Sequence, residues 1–243
     1  KNNFTNWDDI LYVTENSAIR SITLANLKNI SSSFFVAHYH PVTIFSYLLE
    51  YHFFKLNPFN YHLTNLILHL LNCLLVFWVI YLATGKISIS CLTALFFGIH
   101  PMQVESVAWI SERKNVLYAF FFLGAMISYL YYLRKKKALK YYLFCLGLFI
   151  LALLSKSMAV TLPLVLIVLD YFTSRNINLA VFIEKIPHFF LSLIFGLVAF
   201  LEGYLCKDVY TISAYDLLTR LKGISRDIIF YLNKLCFPIR LSA

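Results

Sequence analysis

The chain has 243 residues, of which 60% are hydrophobic, 18% aromatic and 14% charged, and its mean hydropathy is +0.71. Soluble domains average about 25% charged residues, so composition excludes an ordinary water-soluble globule, whose core could not hide this much apolar surface. The net charge of +9 does not indicate nucleic acid, because no basic stripe and no RNA- or DNA-binding motif occurs.

Residues 1–60 mix polar turns with short aromatic, amphipathic stretches such as 42–54. They predict a first non-cytoplasmic loop with one or two interfacial helices lying on a membrane surface. Residues 61–243 form a transmembrane region with spans expected near 62–83, 89–104, 115–133, 139–155, 158–173, 188–206 and 225–240. A crossing helix needs about 20 apolar residues, so the short second and fifth spans predict ends buried in protein or lining a wet cavity. The fold class is therefore all-α, a polytopic transmembrane helical bundle. No internal repeat or low-complexity tract is visible. Lys1 is not a methionine and Ala243 follows no stop signal, so the sequence reads as a fragment truncated at both ends.

The densest basic cluster, Arg134-Lys135-Lys136-Lys137 with Lys140, lies between two apolar runs. It predicts a cytoplasmic loop in contact with lipid headgroups. Alternation then places 84–88 and 174–187 on the same side, and 1–60, 101–114, 155–157 and 207–224 on the other. That outer side also carries Arg113, Lys114, Lys156, Arg220 and Lys222, against the simple charge rule, as a site for an anionic ligand would. The five cysteines, Cys73, Cys91, Cys145, Cys206 and Cys236, have no ligand spacing and read as small buried hydrophobes, with no structural disulfide or metal site.

Four groups of residues offer chemistry. In Asn6-Trp7-Asp8-Asp9 the adjacent carboxylates repel, which suits one to accept a proton near neutrality; the competing reading is a helix N-cap. The run from His100-Pro101 to Arg113-Lys114 sets two cations at the mouth of a span, suited to a phosphate. If it is helical, Glu105 and Glu112 share a face; the competing reading is a snorkelling helix boundary. Lys156 sits in a turn almost without length, where it either snorkels or neutralises a lipid phosphate. His62, Asn65, His69 and Asn72 fall on one face of the first span and predict hydrogen bonding between helices. His38 and His40, before Pro41, are further loop candidates, and no histidine pair has zinc spacing. No P-loop, GxGxxG, GxSxG or HExxH occurs, so ATPase, dehydrogenase and serine-hydrolase readings have nothing to rest on.

Taken in order, Asn6-Trp7-Asp8-Asp9 with Tyr12-Val13, His40-Pro41-Val42-Thr43, Leu56-Asn57-Pro58-Phe59-Asn60-Tyr61-His62-Leu63-Thr64-Asn65, His100-Pro101 through Arg113, and Leu154-Ser155-Lys156-Ser157-Met158-Ala159-Val160-Thr161-Leu162-Pro163 form a pattern over nearly the whole chain. It resembles the membrane part of the transmembrane and tetratricopeptide-repeat-containing O-mannosyltransferases and their bacterial relatives, of the GT-C class. The resemblance implies a GT-C-like fold in an integral membrane such as a bacterial inner membrane, with the site on the non-cytoplasmic face. It implies inverting transfer of a sugar, such as mannose, from a polyprenyl-phosphate carrier to a hydroxyl of a polypeptide or glycan, often Ser or Thr. The catalytic base of the class, an acid of the first outer loop, corresponds to Asp8 or Asp9, and the resemblance leaves open which.

Charge and position assign Arg113, Lys114 and Lys156 to the donor phosphate, with His40, His100, Glu105 and Glu112 in supporting or acceptor roles. No cofactor is demanded; a divalent metal is compatible, with Asp8, Asp9 and Glu105 as oxygen ligands. The expected partners are membrane lipid, the lipid-linked sugar and the acceptor. The alternatives are a transporter or lipid flippase, whose intramembrane His and Asn would line a pathway, and a non-catalytic membrane module.

Overall fold

The computed structural model describes residues 3–36, 38–205 and 217–238. Within them the chain is all-helical, and the one β-type pairing is the isolated bridge between Phe35 and His38. The first segment holds a short π-helical turn, Ile10–Thr14, and a 3-10 turn, Ser17–Ile19. Two helices follow, α1 (Leu24–Ser32) and α2 (Pro41–Phe54). Then come α3 (Pro58–Thr84), α4 (Ile87–Ile99), the short α5 (Gln103–Ala108), α6 (Arg113–Arg134) and α7 (Leu139–Ser155). A 3-10 turn, Ser157–Thr161, leads into α8 (Leu162–Phe172), followed by α9 (Leu179–Leu205) and α10 (Leu217–Cys236).

Local chemistry sets these bounds. Asn57 caps α3 by accepting from the Phe59 amide, with Pro58 at the first helical position, where its missing N–H costs nothing. At the far end Gly85 takes φ +70°, the left-handed conformation that closes a helix without a Cβ clash. Pro101 stops α4 at Ile99.

Among the described residues three helices are long and apolar enough to cross a membrane: Pro58–Thr84, Ile110–Arg134 and Leu179–Gly203. Ile87–Ile99, Leu139–Ser155 and Ser157–Phe172 are shorter apolar helices. The 13 residues of α4 extend only about 20 Å at the α-helical rise, short of the ~30 Å hydrocarbon layer. Phe190, Leu193, Leu197 and Phe200 lie exposed along one face of α9. In water such a face would be a large apolar patch; in lipid it is in its own solvent, and the chain is a membrane protein.

Three expectations change. The loop expected at 174–187 is confined to the residues before Leu179, because α9 starts there and runs through Pro187. Glu184 and Lys185 pin its first turns to Arg175 and Asp170, which outweighs the one backbone bond a proline removes. Of the four cysteines among the described residues only Cys145 is buried; Cys73 is half-buried, Cys91 and Cys236 are exposed, all four are free thiols, and Cys206 lies outside the described residues. The outer loop expected at 207–224 falls partly outside the described residues, and its later part is helical from Leu217.

Two cores hold the bundle. One joins α6, α7 and α8 through Tyr129, Phe149, Leu153, Leu162 and Leu166. The other packs Tyr12, Val13 and Ile19 against Ile44, Tyr47 and Leu48 of α2, with Tyr61 and Ile110. Through the second core, the segment expected to be a separate outer loop is fastened to the ends of α3 and α6. Three members of the polar stripe of α3 are spent on packing: Asn65 donates to the Trp109 carbonyl, His69 Nε2 lies 3.0 Å from that of Gly98, and Asn72 donates to that of Val116, while the fourth, His62, has no hydrogen-bond partner at either ring nitrogen among the described residues. Interhelical bonding is the reading the sequence favoured, and these bonds leave Asn65, His69 and Asn72 engaged with α4, α6 and the link between them.

Candidate functional site

Asp8 and Asp9 are adjacent in sequence but meet different surroundings. Asp9 is fully buried and accepts four hydrogen bonds, from the Thr5 amide and hydroxyl, each at 2.9 Å, and from the Ser111 amide (2.9 Å) and hydroxyl. Asp8 is half-buried and has no hydrogen-bond or ion-pair partner among the described residues. Trp7 packs edge-on against Trp109, ring centroids 5.7 Å apart. These contacts fold the acidic segment onto residues 109–111, at the N-terminal end of α6.

Residues 109–112 separate α5 from α6. Trp109 is extended (φ −90°, ψ 123°) and ends α5, and Ile110–Glu112 forms a 3-10 turn. Glu105 and Glu112 therefore do not share a helical face, as a continuous helix would have required. Glu105 is exposed, while Glu112 turns inward and becomes the organising acid of a cavity.

That cavity, of ≈ 330 Å³, is lined by His38, His40, Glu112, Lys114, Lys156 and Met158 among others, within the range of small-molecule sites. Glu112 Oε1 lies 3.0 Å from Lys114 Nζ. Its Oε2 accepts from the Asn115 amide, whose Oδ1 accepts from Lys156 Nζ. Lys114 also stands 5.4 Å over the Tyr12 ring. One carboxylate thus aligns two ammonium groups, directly and through Asn115. The two cations share the Glu112 carboxylate, with Glu105 acting on Lys156 only at a distance, an arrangement suited to a ligand phosphate.

His40 is 3% exposed, and its Nε2 is buried with no hydrogen-bond partner among the described residues. Burial first, then the charges of Lys114, His38 and Lys156, push its pKa down to about 3. It is a neutral imidazole facing the cations. Lys156 is held below the ordinary lysine value, mainly by burial, with Glu112 opposing the shift.

Arg113 does not join them. Its side chain is fully buried, paired with Glu50, donating from Nε to Asn65 (2.9 Å) and from Nη2 to the Tyr61 carbonyl (3.0 Å), and lying 4.6 Å from the Tyr47 ring centroid. Its donors are spent fastening α2 and α3 to α6, so the phosphate role read from the Arg113-Lys114 pair applies in this structure to Lys114 alone. His100 lies elsewhere, its Nε2 3.0 Å from the Leu235 carbonyl of α10. Asp8, Asp9 and Glu105 are not gathered as ligands: among the described residues no group of three His, Cys, Asp or Glu is placed to hold a metal ion.

Sequence reasoning missed Glu50, Asn115 and Glu202. Glu202 accepts from the Tyr39 amide at 2.7 Å and lies 3.5 Å from His38 Nδ1, tying α9 to the strap that carries His40. A lone acid within an apolar run was the available signal for Glu50 and Glu202; nothing in the sequence singled out Asn115.

Comparison with known proteins now adds a direction. A stretch of 95 residues is 35% identical to human "Protein O-mannosyl-transferase TMTC3", covering 37% of this chain and 10% of that protein. Longer stretches are 30% identical: 157 residues to "Protein O-mannosyl-transferase F38B6.6" of Caenorhabditis elegans (61% of this chain, 21% of the relative) and 163 residues to "Protein O-mannosyl-transferase tmtc2" of Xenopus laevis (63% and 20%). All three relatives are named protein O-mannosyl-transferases. The chain matches from about a tenth to a fifth of their length. No family profile matches the chain, and no solved structure matches it.

Proposed function

We propose that this chain is membrane machinery of a glycosyltransferase of the same family, multi-pass and of GT-C type, that moves a sugar, mannose by analogy with its relatives' names, from a polyprenyl-phosphate donor to a protein hydroxyl with inversion. The observation that carries the reading is the convergence of Lys114 and Lys156 on one cavity, at the same end of the antiparallel α6 and α7, with the Asp8-Asp9 segment tied through Ser111 to the turn that carries Glu112. The basic run 134–140 lies at the other end of those two helices, and by the positive-inside rule that end is cytoplasmic. The cavity then opens on the non-cytoplasmic side.

The roles follow from partners. Asp8, with free lone pairs, takes the acceptor's hydroxyl proton as general base. Asp9 positions that residue by clamping the segment between Thr5 and Ser111. Lys114 and Lys156 hold the donor phosphate and balance the charge it gains as the sugar leaves. Glu112 and Asn115 fix the spacing of the two ammonium groups, and neutral His40 offers a hydrogen bond without adding charge. Each role is supplied by a side chain of this protein.

The test is incubation of the full-length protein, reconstituted in vesicles, with radiolabelled polyprenyl-phosphate mannose and Ser/Thr-containing peptides. Label transfer that is lost in Asp8→Asn supports the reading; no transfer from any polyprenyl-phosphate sugar rejects it.

A further inference from the structure

A second cavity opens at the other end of the helices. It measures ≈ 580 Å³ and lies between the C-terminal ends of α3, α6 and α8, with Leu82, Leu130 and Phe172 on its apolar wall and Arg134, Lys137 and Arg175 on its polar one. We propose that it seats the phosphate headgroup of an anionic phospholipid of the leaflet opposite the candidate active site. The inference rests on the membrane reading of the helices and not on the transfer reaction.

Arg175 is built into place. Its Nη1 donates to Asp170 (3.1 Å) and Glu184 (3.0 Å), and its Nη2 to Glu184 (2.8 Å). Asp170 is itself fully buried and bound by Tyr129 and Lys185. That network fixes the guanidinium in the cavity wall, where Arg175 is one of the lining residues. Arg134 is anchored by a single bond to the Leu82 carbonyl and keeps its remaining donors. Lys137 is exposed, and its acidic neighbour is Glu184 at 3.8 Å.

The charge balance points to an anion. Five basic residues lie between Arg134 and Lys140, while the two nearby acids, Asp170 and Glu184, are already engaged by Arg175 and Lys185. Cations at a membrane face attract anionic lipid, and arginine grips phosphate in a fork that orients it. The apolar wall selects a lipid over a free ion. Phe172 is 61% exposed beside the cavity mouth and offers a surface along which an acyl chain lies; an inorganic phosphate has no use for it.

Full-length protein reconstituted in equimolar phosphatidylglycerol and phosphatidylcholine, then analysed by native mass spectrometry, reads retained lipid directly. Wild-type protein is expected to keep phosphatidylglycerol preferentially. Arg134→Gln with Lys137→Gln is expected to lose that lipid about tenfold, as for loss of a charge-assisted hydrogen bond, with phosphatidylcholine adducts unchanged. Lys137→Gln alone, at an exposed side chain, gives a partial loss without risk to folding, and Arg134→Lys with Lys137→Arg retains binding. Equal retention of both lipids by wild type, or unchanged retention in both glutamine variants, overturns the proposal. So does displacement of the lipid by millimolar inorganic phosphate, which identifies a simple anion site.

Discussion

Ser111 gives both its amide and its hydroxyl to Asp9, a residue 102 positions earlier in the chain. That bond pair joins the acidic segment to the turn that carries Glu112, one residue before α6, whose first turn carries Lys114. It holds the acidic segment and the Glu112–Lys114 pair in one packed unit.

The two aspartates are expected to separate by phenotype. Asp8→Asn lowers transfer by about 10²–10⁴-fold, the usual share of a general base, and leaves thermal stability unchanged. Asp9→Asn turns an acceptor of four hydrogen bonds into a group with a misplaced donor and costs about 1–3 kcal/mol of stability. Thermal unfolding in detergent beside a transfer assay distinguishes them; a stability loss in Asp8→Asn with none in Asp9→Asn reverses the assignment.

Lys114→Gln and Lys156→Gln are each expected to raise the donor KM by about tenfold, the loss of one charge-assisted hydrogen bond. Because burial holds the Lys156 pKa below its ordinary value, donor affinity declines at a lower alkaline pH than a free lysine would give. Lys156→Arg moves that decline upward. Donor titration across pH checks both, and an unshifted profile in Lys156→Arg removes Lys156 from the site.

Arg113→Gln is expected to destabilise the protein by about 3–5 kcal/mol, because it strands Glu50 as a buried charge. Arg113→Met combined with Glu50→Gln recovers part of that loss. If the single variant folds as wild type and only donor binding falls, Arg113 belongs to the phosphate site after all.

His40 sets an acid limit. Its folded-state pKa of about 3 lies below the ordinary 6.5, so between those values the unfolded chain binds a proton that the folded one refuses. Stability is therefore constant above that window and falls as pH drops through it. His40→Gln, which carries no titrating proton, is expected to flatten this dependence. Unfolding midpoints measured from neutral to acid pH give the comparison, and an unchanged acid slope in the variant rules His40 out as its source.

Helix ends such as those at Pro58, Gly85 and Pro101 are legible in principle, because these residues act through their own backbone chemistry, which needs no neighbour, although the expected spans 62–83 and 89–104 set the bounds elsewhere and carried the second past Pro101. The start of α9 was not, since Pro187 argued for a break while the counter-argument, Lys185 bound to Asp170, lies in a contact between helices. The same limit applied at Arg113-Lys114. Two adjacent cations look alike in sequence, yet one turns toward Glu50 and the other toward Glu112.

Sequence alone determined the solvent of this protein and its alphabet of reactive groups, because hydropathy and charge are sums over residues and do not depend on arrangement. Tertiary structure alone decided which groups meet. Burial satisfied Asp9 and Arg113, left Asp8 without a partner among the described residues, and gathered Lys114 and Lys156 about Glu112 and Asn115 at a cavity, since a side chain's chemistry is set by what its neighbours take and what they leave.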